Sequence, residues 1–168
     1  AEFVPNVRFA ILQGYEADPI IKTRVLGKED VNIAGMIKKL GNSDWVREGR
    51  TFFNVNDLIC PFCQQKTDEA FEKSLSEYFN ESFERDSRAI AVLLDSYKSE
   101  AARVLQEAGQ ILANPSNFLD VKKFKSELDL QDAKLRLNTQ QLDKKSKEPS
   151  QIFELESVGD IITTIQTL

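Results

Sequence analysis

The apolar positions of this chain change rhythm twice. Between residues 90 and 111 they recur at alternating spacings of four and three, as Ile90, Leu94, Tyr97, Ala101, Val104, Ala108 and Ile111. This is the heptad seam of a helix that packs along a partner, sustained for about three heptads. Residues 67–113 contain no proline, and Gly109 is their only glycine. An unbroken helix over that stretch would extend about 70 Å at ~1.5 Å per residue. The Asp68-Glu69 pair suits the positive N-terminal end of such a helix. Its first part, with Phe71, Leu75, Tyr78, Phe79 and Phe83, is broader and more aromatic, which predicts packing on a globular unit. Asn114-Pro115-Ser116-Asn117 then breaks the helix. A second helix is predicted over 119–146, with Val121, Phe124, Leu128, Leu135 and Leu142 in a seam that polar Gln131 and Asn138 interrupt. The two seams read as antiparallel neighbours.

Ahead of the long helices the rhythm is short. Residues 3–15 mix Val, Phe, Ile and Leu without helical spacing and read as a short strand or an irregular apolar arm. Asp18-Pro19 reads as a helix start, with the helix ending at Gly27. Ile33, Met36, Ile37 and Leu40 share one helical face, and Gly41 is a natural stop. Ser43 is placed to cap the next short helix, which carries Trp45, Val46, Phe52 and Phe53. Trp45 and the phenylalanines read most simply as core. Beyond Glu148-Pro149-Ser150, residues Ile152, Phe153 and Leu155 read as a short extended piece. Ser157 with Asp160 resembles a capping box that opens a last helix through Ile161, Ile162, Ile165 and Leu168. That helix is apolar to its final residue and reads as an element cut short. The fold class is therefore mainly α: a small helical head around a CxxC turn, plus a long antiparallel, coiled-coil-like helical hairpin. The expected organisation is 1–66 head, 67–148 hairpin and 149–168 return segment.

With 168 residues, 41% hydrophobic and 29% charged, the chain is expected to be one domain, or one compact part with an extended arm. No apolar run approaches the ~18 residues of a membrane span, and no signal peptide is visible. With two cysteines rather than a disulfide framework, a reducing cytoplasm is the expected compartment. The net charge of −5 argues against a broad nucleic-acid surface. Lys122, Lys123, Lys125, Lys144, Lys145 and Lys147 are interspersed with acids such as Glu127 and Asp132. They read as a solvated helix face, with a DNA- or tRNA-contacting arm as the alternative. Lys144, Lys145 and Lys147 also suit the negative C-terminal end of the second long helix.

Chemistry concentrates in Cys60-Pro61-Phe62-Cys63, which holds both cysteines of a chain without histidine. A C-x-x-C turn offers two thiolates to a metal, and structural zinc takes four ligands in a tetrahedron. One chain supplies half of that set, so a shared zinc at a dimer interface is one reading. Asp57 or another carboxylate completing the set within one chain is a second, and a pair of unreactive cysteines a third. A thiol oxidoreductase also uses such a turn, but needs a βαβ framework that this pattern lacks. Without histidine no serine or cysteine triad of the usual kind can form. No GxxxxGK[ST] phosphate loop is present, since Gly27-Lys28 is followed by Glu29. The chain is thus expected to have no catalysis of its own.

Several stretches resemble the middle segment of bacterial ABC-type, SMC-like ATPases related to the RloC and PrrC anticodon nucleases. They are Gly27-Lys28-Glu29-Asp30-Val31, Leu40-Gly41-Asn42-Ser43-Asp44-Trp45-Val46, Cys60-Pro61-Phe62-Cys63-Gln64-Gln65 and the helix beginning Leu75-Ser76-Glu77-Tyr78-Phe79. Lys147-Glu148-Pro149-Ser150 resembles the point where the chain turns back to the ATPase domain. The resemblance implies a zinc hook, a long insertion whose apical C-x-x-C shares one zinc ion with a second apex. Cys60 and Cys63 would then be the metal ligands, with two identical chains bridged through them. ATP and any tRNA-cleaving activity would belong to other segments of the parent, as would its nucleic-acid contacts. A simple hook sits between matched coiled-coil arms. Here short helices precede the cysteines, so the apex is expected to be a globular head. A metal-free helical module for protein–protein interaction within the same ATPase is the alternative.

Overall fold

Two long antiparallel helices, α5 (Glu81–Ala113) and α6 (Val121–Lys147), carry the rest of the protein. They are seen in a computed structural model that describes residues 6–161. Four shorter helices precede them: α1 (Ala10–Glu16), α2 (Ala34–Leu40), α3 (Ser43–Val55) and α4 (Glu69–Tyr78), with a 3-10 turn at Pro19–Lys22. The fold is mainly helical, and the described residues form no strand, only isolated bridges. No helix among them is long and apolar enough to cross a membrane.

The hairpin follows the seams. Leu94, Tyr97, Ala101, Val104 and Ala108 are buried on α5 in one core with Phe124, Leu135 and Leu142 of α6, while Ile90 of the same seam is buried in a second cluster. The polar interruptions of the α6 seam hold the returning chain. Gln131 Oε1 accepts the Gly159 N–H at 3.0 Å, and Asn138 Oδ1 accepts the Glu156 N–H at 2.7 Å. Buried side chains of this kind persist where each finds its hydrogen bonds.

The helix expected to run unbroken from residue 67 divides after Tyr78. Asn80 caps α5 by accepting the Phe83 N–H at 3.1 Å, which offers the backbone an alternative to continuing the helix. The break lets neighbouring Tyr78 and Phe79 both turn inward. Their rings meet edge to face at 4.8 Å, and Phe79 meets Phe83 at 4.9 Å. Around them Val25, Ala34, Ile37 and Ile90 complete the core of the head.

Three N-terminal expectations are corrected. The apolar arm becomes helical at α1, with Leu12 buried against the hairpin; residues 3–5 lie outside the described residues. Only one 3-10 turn forms after Asp18, whose side chain accepts the Ile20 N–H at 2.9 Å. The chain then extends, because more distant groups take its hydrogen bonds: Val25 N–H donates to Pro149 C=O at 2.9 Å, and Lys28 N–H to Tyr78 C=O at 2.8 Å. Trp45 lies on the surface rather than in the core, as do Phe52, Met36 and Leu40.

The C-terminal reading also changes. Residues 157–160 are not helical, and the rest of the expected last helix, 162–168, lies outside the described residues. Asp160 instead accepts the Phe9 N–H at 2.7 Å at the start of α1, and Val7 pairs with Ile161. Lys145 is no solvated lysine. It is fully buried, and its ammonium donates to the carbonyls of Thr23, Pro149 and Gln151 at 2.5, 2.9 and 2.5 Å. Beside it Asp44 accepts from the Ser150 hydroxyl at 2.5 Å. Arg47 donates to the terminal α6 carbonyl of Lys147 at 2.7 Å. The head is thereby moored where α6 ends.

Candidate functional site

The Cys60–Cys63 turn is built between α3 and α4 by a short run of local hydrogen bonds. Past the end of α3, Asp57 and Leu58 adopt left-handed backbone, φ 52° and 61°. Such conformations are uncommon for residues with a Cβ and recur at functional loops. Ile59 then pairs with Lys66. Cys60 N–H donates to Gln65 C=O at 2.9 Å, Gln64 N–H donates back to Cys60 C=O at 2.9 Å, and Thr67 N–H donates to Leu58 C=O at 3.0 Å. Gln64 is left-handed at φ 59°, which reverses the chain after the second cysteine. The loop is anchored on α3 by Phe62, whose ring lies 5.8 Å from that of Trp45.

Both cysteines are free, Cys60 half-buried and Cys63 exposed. The backbone N–H groups of Cys63 and then Phe62 donate to the Cys60 sulfur and hold its thiol below the ordinary value. Peptide N–H groups aimed at a sulfur favour the thiolate, the form that binds a metal. No group of three or more cysteines, aspartates and glutamates is gathered among the described residues, so Asp57 does not complete a ligand set inside one chain. The oxidoreductase framework is likewise missing from the described residues. Among those residues there is no strand, and the helix after the turn begins only at Glu69.

Sequence reasoning missed what lies beside the turn. Between α2, α3, α4 and the loop runs an apolar groove of 650 Å³, walled by Met36, Leu40, Trp45, Phe52, Phe62 and Phe71. Phe53, which also lines it, meets Phe71 in an edge-to-face pair at 5.6 Å. A signal for it exists in α3. Trp45 and Phe52 lie seven residues apart on one face, and Val46 and Phe53 on the next, so the apolar stripe is wider than one core contact uses.

Comparison with curated proteins and with solved structures finds no match. A family of ATPases described as an AAA domain matches residues 4–168, and the chain belongs to that family.

Proposed function

We propose that this segment of an AAA-family ATPase is an interaction module that self-associates through zinc, with Cys60 and Cys63 of each of two chains as the four ligands. The carrying observation is the donor chemistry of the turn. It presents two accessible thiols, one of them drawn toward the thiolate by the N–H groups of Cys63 and Phe62, with no third ligand gathered beside them among the described residues. A tetrahedral site therefore needs a second turn, and a second copy brings one of the same chemistry. Zinc closed by four thiolates supplies structure rather than catalysis. The protein's part is to hold the loop. The Ile59–Lys66 pairing sets the chain reversal, and Phe62 on Trp45 fixes the loop against α3.

The mooring of the head by Lys145, Asp44 and Arg47 at the end of α6 supports a role in passing the state of the apex to the rest of the ATPase. The resemblance to the RloC and PrrC anticodon nucleases supports a cytoplasmic parent in which such association links or regulates ATPase heads and tRNA cleavage. In this reading ATP, nuclease chemistry and nucleic-acid contacts belong to other segments, and this one catalyses nothing.

Zinc analysis joined to mass measurement in solution tests the proposal. The expected result is one zinc per two chains, with dimers lost on chelation, on Cys60→Ser with Cys63→Ser, and in acid as the thiolates take up protons. A zinc-free monomer at neutral pH would end it. The exposed groove favours a second reading, a metal-free protein–protein module. It requires that the double serine variant keep its oligomeric state.

A further inference from the structure

Neither core cluster absorbs the groove beside the cysteine turn. Met36, Leu40, Trp45, Phe52 and Phe62 are each more than half exposed, at 55, 61, 56, 59 and 76%. Folded chains rarely leave large apolar side chains contiguous and wet unless another surface covers them. We propose that the groove is covered by the same groove of a second copy of this chain, forming a two-fold protein interface around the shared metal. The inference rests on the zinc-bridged reading and names what does the recognising.

Two observations select this occupant. The first is continuity. Cys60, Pro61 and Phe62 are themselves walls of the groove, so a copy that brings its thiols to this turn brings its own groove to the same edge. A two-fold interface uses one patch on both subunits, which must complement itself. The second is charge. The groove's charged lining residues are Glu48 and Arg50, one of each sign, and both lie on α3. A patch with one acid and one base leaves room for unlike charges to pair when it meets its own copy, whereas a patch of one sign would repel itself. The apolar walls also supply what a metal bridge lacks. Two short loops bury little surface, and a stable association draws on an apolar centre with aromatic anchors.

The test is Met36→Glu with Phe52→Glu in the 168-residue chain. Both positions are exposed, and a helical circular dichroism spectrum checks that the fold is kept. Mass in solution is measured against protein concentration, with zinc and with chelator, alongside zinc content. The expected result is a dimer whose dissociation constant rises at least about tenfold while Cys60 and Cys63 still take up zinc. A variant that dimerises with wild-type affinity overturns the groove and leaves the metal bridge standing. Wild-type dimers that survive chelation but vanish in the groove variant support the groove and overturn the metal bridge. A wild-type chain that is monomeric at every zinc concentration overturns both.

Discussion

The side-chain amide of Asn138 donates to the Tyr97 hydroxyl at 2.8 Å across the hairpin, and that hydroxyl donates to the Glu16 carboxylate at 2.9 Å. Burial pushes the Tyr97 phenol well above its usual range, so it remains a donor. Asn138 also holds both backbone groups of Glu156, its amide donating to the carbonyl and its oxygen accepting the N–H, each at 2.7 Å. One buried asparagine thus joins α1, α5, α6 and the returning chain. Asn138→Ala is expected to lower the unfolding free energy by about 2–3 kcal/mol, since it leaves several buried partners unpaired. Asn138→Leu restores volume but no hydrogen bonds, so urea denaturation should find it no more stable than the alanine variant. A leucine variant as stable as wild type would show that the polar layer contributes nothing.

Glu16 gives that layer a pH dependence. Burial raises its carboxyl above the ordinary value, against hydrogen bonds from Tyr97, the Val158 N–H and Asn138 that lower it. The folded state therefore holds the proton more tightly than the unfolded chain. The linked stabilisation is complete below the unfolded value and is lost as pH rises through the folded one. Wild type should gain stability relative to Glu16→Gln as pH falls from neutral toward 4.5. Paired denaturation curves across that window check the sign, and a flat difference would mean the carboxyl is not raised.

Lys145 is the keystone at the far end of α6. Lys145→Met keeps much of the volume but removes the donor shared by the carbonyls of Thr23, Pro149 and Gln151. A loss of about 3 kcal/mol is expected. Proteolysis in the native state should then open at residues 23–28 and 149–155 before the hairpin yields. Cleavage confined to other loops would contradict this mooring.

Gly27 is held by contact rather than by its backbone angle. A Cβ there would fall 2.3–2.5 Å from three carbons of the Tyr78 ring. That ring has no retreat, being buried, bonded through its hydroxyl to Ser43 at 3.3 Å and set edge to face with Phe79. Gly27→Ala should destabilise by about 1–3 kcal/mol. In a Tyr78→Leu background the same change should cost clearly less, a coupling that a double-mutant cycle measures.

The spacing of apolar residues was enough to read the hairpin. Ile90 through Ala108 bury one face of α5, and a heptad rhythm reports which side chains of one element share a partner. Asp18, Asp68 and Gly41 could likewise be read as helix boundaries, because a cap acts within a few residues of its own backbone. Groups that meet across the chain left no such rhythm. Asn80 divides a helix because Tyr78 and Phe79 both find the head, residues 23–28 stay extended because Pro149 and Tyr78 take their hydrogen bonds, and Lys145 turns inward because three distant carbonyls converge on it. At the candidate site, the cysteine pair and its shortage of ligands were legible as local chemistry. Trp45 and Phe52 were apolar in the sequence either way, and only the packing of α3 against α2 and α4 decided that they face outward beside Cys60. Local spacing determines which residues share a face, whereas which face finds a partner depends on segments distant in sequence, and only the assembled fold brings those together.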